Sequence, residues 1–205
     1  SAANRRRGLA LAHARGTKYA AGVARECAAR SEMPEAVAQT PALMDPVRQL
    51  CKEIADSKAV LFLCRHVGFP VALEGALKLK ELAYMHAECF AAGDLKHGPI
   101  ALIEAGMPVY VIVPSPSSEH DLHGKVVSNI QEIRARGART IVIAEEGDED
   151  VVPFADVVIR VPATPPLLAP LVTIVPLQVF ACELASAKGL DVDQPRNLAK
   201  SVTVE

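Results

Sequence analysis

Tryptophan is absent from this sequence, and aromatic residues make up only 4% of it. A surface that stacks nucleic-acid bases needs more of them. Neither sign of charge is in excess: 22 Lys and Arg stand against 24 Asp and Glu, a formal net charge of −2. That balance gives no electrostatic footprint for nucleic acid or for an anionic membrane. Cysteine is sparse. Cys27, Cys51, Cys64, Cys89 and Cys182 contain no CxxC pair, and their number is odd. A disulfide framework or a zinc site is not expected, and the five read as reduced, buried thiols of a cytoplasmic protein. No uninterrupted apolar run reaches the roughly 18 residues of a membrane span. The most apolar stretch, Leu167 to Phe180, holds Pro170 and Pro176 and reads as a buried, kinked helix. The opening "SAANRRRGLALAHARG" lacks the long apolar core of a signal peptide, because His13 and Arg15 interrupt it.

What remains is ample for one core. The 205 residues are 50% hydrophobic and 22% charged, enough for a full-sized α/β domain with flanking pieces. With Ser1 in place of an initiator Met, the sequence is expected to be part of a longer chain. Residues 1–44 read as an N-terminal helix, Leu9 to Arg30 with a break at Gly16, followed by a Pro-punctuated connection from Met33 to Pro46. Residues 45–189 read as the domain, and 190–205 as a C-terminal tail. Asp45-Pro46 opens a helix to about Ser57. Short, continuous apolar runs then mark strands buried on both faces: "AVLFLC", "PVYVIV", "RTIVIA" and "DVVIRV". Helices are expected between them, over Val71 to Phe90, over Glu119 to Arg136, and over Pro165 to Lys188. The Pro-rich "PSPSS" and "PATPP" read as loops. This alternation predicts a parallel sheet with helices on both faces, and ligands of such sheets sit beyond the carboxyl ends of the strands.

One helix is unusual. "ALEGALKLKELAYMHAE", Ala72 to Glu88, is apolar over most of its circumference yet carries six ionisable side chains. At about 100° per residue, with Glu74 at zero, Lys78 falls near +40°, Glu81 near −20°, Met85 near +20° and Glu88 near −40°. Lys80 and His86 fall elsewhere. A narrow polar stripe on a wide apolar surface is the inverse of a surface helix, so its charges must be paired or face a cavity. One reading is a salt-bridged helix, with Glu74 and Lys78 at i,i+4. The other is the wall of a cleft where a carboxylate moves protons on and off carbon. Downstream, "AAGDLKHGPIALI" is a bent loop holding Lys96 and His97, a side chain that exchanges protons near neutral pH. The tail "DVDQPRNLAKSVTVE" has no amphipathic period, an odd ending unless it docks.

Together, "ALEGALKLKE", "HAE", "LKHGP" and the ending "DVDQPRNLAKSVTVE" strongly resemble the glucosamine-6-phosphate synthases, from about Leu9 to Glu205. The resemblance is to their second sugar-isomerase (SIS) subdomain and tail, and the tail is its most specific part. It implies a flavodoxin-like SIS fold. It also implies conversion of fructose-6-phosphate, with ammonia from glutamine, to glucosamine-6-phosphate, the first step of hexosamine synthesis. No metal or organic cofactor is implied. In this family Lys200 would form a Schiff base with the open-chain ketone, and Glu81 would move the proton between C1 and C2. His97 would assist ring opening from the neighbouring subunit of a homodimer. Lys78 and Glu74 would support Glu81, and Ala199 would line the sugar site.

The sequence also departs from that pattern. Residues 1–8 fall outside the resemblance. Cys64 stands where Gly is expected, Cys89 where Gly or Ala is usual, and Asp94 where Glu is usual. The "RHVGFP" loop lacks the hydroxyls with which the family's first SIS subdomain grips phosphate. Without that subdomain and a glutaminase domain, the chain alone is expected to be inactive or nearly so. An SIS-type deglycase or ketose–aldose isomerase is the rival enzyme reading. A sugar-phosphate-binding module of a transcription regulator is the rival from another class, although no basic recognition helix is visible.

Overall fold

The computed structural model describes residues 2–118 and 121–198. Helices α1 (Ala2–Ala14) and α2 (Ala20–Gln39) precede the domain. Then follow α3 (Asp45–Ile54), β1 (Ala59–Cys64), α4 (Gly68–Lys78), β2 (His86–Ala91), β3 (Pro108–Ile112), α5 (Leu122–Arg134), β4 (Arg139–Glu145), β5 (Val157–Val161) and α6 (Pro170–Ala187). The five strands pair in parallel, in the order β2-β1-β3-β4-β5. This is the flavodoxin-like order, with its reversal between β1 and β3.

The continuous apolar runs make strands because both faces are covered. Alternate side chains point to opposite sides. Val60, Phe62, Tyr110, Ile112, Ile141 and Ile143 face α3, α4 and α6. Leu61, Leu63, Val109, Val111 and Val142 face α5. Tyr110 lies between Phe62 and Phe180, with ring centroids 5.4 and 4.5 Å away. Helix α6 is long and apolar enough to cross a membrane by length and composition. Here it packs Val172, Leu177, Phe180 and Leu184 into the core. Gly75 allows α4 to approach it closely, since a Cβ there would lie 2.7 Å from Leu177 Cδ1 and 3.3 Å from Leu177 Cβ.

Three expectations need correction. The helix read over Val71 to Phe90 ends early, and residues 86–91 form the edge strand β2, paired from Ala59↔His86 to Cys64↔Ala91. Tertiary pairing with β1 overrides local helix propensity in that segment. Secondly, the connection read from Met33 to Pro46 is helical as far as Gln39, through Pro34. Burial of Met33, and of Ala36 and Val37 against the core, outweighs the proline's missing N–H. Lastly, only Cys51 and Cys64 are buried, Cys89 is half-buried, and Cys27 and Cys182 are exposed. All five are free thiols. Burial pushes the Cys51 thiol up to about 12. Helices α3, α5 and α6 start or stop a few residues inside the expected bounds, at Ile54, Leu122 and Pro170, whereas α1 begins at Ala2, before the expected Leu9.

Candidate active site

Helix α4 starts at the carboxyl end of β1 and runs back across the sheet. Its last turn therefore lies at the amino end of the strands, where β2 begins. There the helix widens: Leu79–Ala83 form a π turn, closed by Tyr84 in the left-handed region (φ 50°). The Leu79 carbonyl accepts the Tyr84 N–H and, at 3.4 Å, the Met85 N–H. Such π turns recur at functional sites because they re-aim side chains without breaking the chain.

This geometry splits the expected stripe. Lys78 Nζ donates to a Glu81 carboxylate oxygen and lies 3.6 Å from Glu74 Oε1. The triad is half-buried, with the Glu81 side chain 25% exposed. The hydrogen bond to Glu81 holds the Lys78 ammonium above its ordinary pKa of 10.5, so it remains a cation through the neutral range. Glu88 does not belong to the stripe. It sits on β2 and lies 3.4 Å from His86 Nε2. The apolar circumference is also less buried than expected: Leu73 and Leu77 are 46% and 42% exposed.

Glu81 borders an open cleft of ≈ 480 Å³, together with Lys80, Tyr84, Met85 and His86. The opposite border is the tail, Arg196 to Leu198. The Arg196 N–H donates to Tyr84 Oη at 2.6 Å, and its guanidinium lies over the Tyr84 ring, 4.1 Å from the centroid. Lys80, Tyr84, His86 and Arg196 are absent from the sequence-based candidates. A uniform 3.6-residue period directs Lys80 and His86 elsewhere, and no periodicity signals a contact between residues 84 and 196. The aromatic Tyr84 just past the ionisable triad was the available hint.

His97 is not brought to this cleft. It ends a single 3-10 turn, Leu95–His97, beyond the carboxyl end of β2, and it is exposed. Six strand residues at about 3.3 Å each separate that end from Glu81 by roughly 15–20 Å. Lys200 and Ala199 lie outside the described residues.

The expected ligand crevice, at the carboxyl ends of β1, β3, β4 and β5, does exist. Arg65, His66, Ser115, Glu145 and Thr164 line it, but it encloses only ≈ 30 Å³, room for about two water molecules. The Glu145 carboxylate already accepts from Ser115 Oγ at 3.0 Å, and Arg65 donates to Asn129. The N–H groups of Gly68 and Phe69, which would greet an anion at the start of α4, bond to the Arg65 and His66 carbonyls. Among the described residues one group has the composition of a cation site: His123, Asp148 and Asp150, with ligand atoms within 4.8 Å of one another. His123 Nε2 and Asp148 Oδ2 are 2.9 Å apart and buried, and Asp148 Oδ1 also accepts the Asp150 N–H. These contacts make it a buried pair that ties α5 to the loop after β4.

Residues 53–188 match the SIS domain family model. Over 197 residues the chain is 68% identical to the glutamine–fructose-6-phosphate aminotransferase (isomerizing) of Streptomyces coelicolor, covering 96% of this chain and 32% of that protein. It is 64% identical over 204 residues to the protein of the same name from Mycobacterium tuberculosis, covering 100% of this chain and 33% of the other. The chain thus spans about a third of the length of the curated relatives it matches. Among solved structures, the C-terminal domain of glucosamine-fructose-6-phosphate aminotransferase from Francisella tularensis superposes with a TM-score of 0.84 at 34% identity, covering 91% of this chain and 51% of that one. A glucosamine-6-phosphate deaminase from Thermotoga maritima, at 23% identity and TM-score 0.61 over 83% of this chain and 49% of that one, shares the fold.

Proposed function

This chain belongs to the SIS domain family, and on that premise we propose that it is the C-terminal isomerase part of a glutamine–fructose-6-phosphate aminotransferase. The reaction turns fructose-6-phosphate and glutamine into glucosamine-6-phosphate and glutamate in the cytoplasm, a setting that five free thiols suit. The observation that carries this reading is the Glu74–Lys78–Glu81 triad, whose Glu81 lines a cleft bordered on its other side by the tail.

In this reading the amine of Lys200 adds to the C2 ketone of the open-chain sugar, and water leaves. Ammonia then displaces the lysine, which leaves nitrogen on C2. Glu81 takes a proton from C1 and returns one to C2 while the O1 hydroxyl proton passes to the nitrogen, so the ketose imine becomes an amino-aldose. Lys78, held as a cation, fixes the Glu81 carboxylate and is its charge partner. Glu74 holds Lys78 from the preceding turn, and Ala199 lines the sugar beside Lys200. His97 opens the sugar ring from the partner subunit of a homodimer. The length of β2, which keeps His97 and Glu81 of one chain apart, supports that assignment. The sugar phosphate is gripped outside this domain, since the ≈ 30 Å³ crevice is too small for it. A preceding SIS subdomain of a longer chain would hold it, and a glutaminase domain would supply the ammonia.

Mass spectrometry of the products tests the reading. The chain is mixed with fructose-6-phosphate and excess ammonium, alone and with the first SIS subdomain of a relative. Glucosamine-6-phosphate should form in the mixture and vanish with Lys200→Ala. Silence of the mixture despite bound sugar phosphate would shift the assignment to a sugar-phosphate-binding module. Product that survives Lys200→Ala would favour a simpler isomerase chemistry.

A further inference from the structure

Cys64 closes β1, and Cys89 sits inside β2, the edge strand beside it. Cys64 opposes Ala91 and Cys89 opposes Phe62, so the two cysteines are diagonal neighbours on one face of the sheet. Their Sγ atoms are 3.8 Å apart. Cys64 is fully buried and Cys89 half-buried, so Cys89 is the way in from solvent. The hydrogen bond to Cys89, together with burial, pushes the Cys64 thiol well above its ordinary pKa, and it keeps its proton until a ligand displaces it. Both cysteines stand where the family resemblance calls for Gly or Ala, so the shared reaction does not account for the pair.

A direct disulfide fits poorly. A strand spacing of about 4.8 Å and a rise of about 3.3 Å per residue put the two Cα atoms roughly 8 Å apart. A disulfide spans at most about 7 Å without backbone movement. Zinc fits no better, because it takes four ligands. Among the described residues no third His, Cys, Asp or Glu places a ligand atom within 4.8 Å of both sulfurs. We propose that Cys64 and Cys89 together bind one soft d10 cation in linear, two-coordinate geometry, with Hg(II) the best fit in charge. Thiolates are the ligands that soft cations select. With bonds of about 2.3 Å, the length of a zinc–thiolate bond, a linear ion sets its sulfurs about 4.6 Å apart, so thiols now at 3.8 Å must separate by about 0.8 Å. A small rotation about each Cα–Cβ bond supplies that. Two S–H bonds break, two sulfur–metal bonds form, two protons pass to water, and nothing is oxidised. With a divalent ion the product is neutral, as an apolar cluster that holds Phe62 and Ala87 requires.

Both ligands lie on adjacent strands of one sheet, so the site is complete within this chain. For the test, the exposed Cys27 and Cys182 are first replaced by Ser, while Cys51 stays, buried and bonded to the Phe180 carbonyl. One equivalent of Hg(II) is added, glutathione is titrated in, and native mass spectrometry follows the bound ion. The bound form should carry one Hg and two hydrogens fewer. Cys64→Ala and Cys89→Ala should each release the ion at about 10²-fold less glutathione, the loss expected when two tethered ligands become one. An effect of Cys89→Ala alone would mean a single surface thiol, and an ion held equally by both variants would lie elsewhere; either result overturns the proposal. X-ray absorption at the Hg edge, on the protein with Cys64 and Cys89 intact and no glutathione, makes the same test without altering the core. Two sulfur neighbours are expected, and a single sulfur would overturn the site.

Discussion

The two ends of the sheet make an instructive pair. At the carboxyl end Arg65, Ser115, Glu145 and Thr164 converge on ≈ 30 Å³; Ser115 bonds to Glu145 and Arg65 to Asn129, while Arg65 Nε and Thr164 Oγ1 are buried without a hydrogen-bond partner. At the amino end Lys80, Glu81, Tyr84 and Arg196 border an open ≈ 480 Å³. Doubly wound sheets ordinarily place ligands at the carboxyl end. Here that end is constricted, and the ionisable triad sits where α4 finishes. Helix α4 is the reason. It begins beside the closed crevice, crosses the sheet, and delivers its ionisable last turn to the opposite end.

Substitutions at the two ends should therefore differ most in turnover. In the whole enzyme, Glu81→Gln should lower kcat by about 10²–10⁴-fold with little change in KM, the contribution expected of a positioned general base. Glu145→Gln should leave kcat within about twofold. Comparable losses from both, in a steady-state assay, would dissolve the contrast. The placement of His97 beyond the far end of β2 gives a second measurement. A homodimer with shared sites should regain activity when His97→Ala and Glu81→Gln chains are mixed and refolded, up to about a quarter of wild type, because half the dimers are mixed and each has one intact site. No recovery from two properly folded variants would place His97 in its own chain's site or outside any site.

Stability measurements separate the helix that links the ends from the charges it carries. Gly75→Val should overpack α4 against Leu177 and cost about 2 kcal/mol, a drop in Tm of about 4–8 °C. An unchanged Tm would mean that the α4–α6 approach is slack. Lys78→Met should cost less than about 1 kcal/mol, since the triad is partly exposed and solvent-screened. The Lys78 pKa is raised on folding, so the contribution of this cation is fully present below its ordinary value of 10.5 and is lost as pH rises through the higher folded value. The difference in Tm between wild type and Lys78→Met should stay constant from neutral pH to about pH 9 and shrink only above about 10.5. Shrinkage already at pH 8 would rule out the raised pKa.

Contacts set by local spacing are legible in the sequence. Glu74, Lys78 and Glu81 are three and four residues apart, and one turn of helix brings them together whatever surrounds it. The reading failed at Glu88, where it extended a helical period through Tyr84 into what is a strand. Nothing local in "HAECFA" outweighs its helix formers; the open edge of β1 does. Lys80, His86 and Arg196 were missed for the same reason, because a π turn and a contact across 112 positions of sequence bring them to the cleft.

By itself the sequence determined the parallel α/β architecture, because continuous apolar runs between amphipathic helices can be buried in few other ways. It also determined the ionisable triad, whose spacing is its geometry. Tertiary structure decided which end of the sheet is open. It also decided where α4 stops and β2 begins, and that the tail lies across Tyr84. Those outcomes depend on strand pairing, close helix approach and long-range hydrogen bonds, and their free energies belong to no single segment.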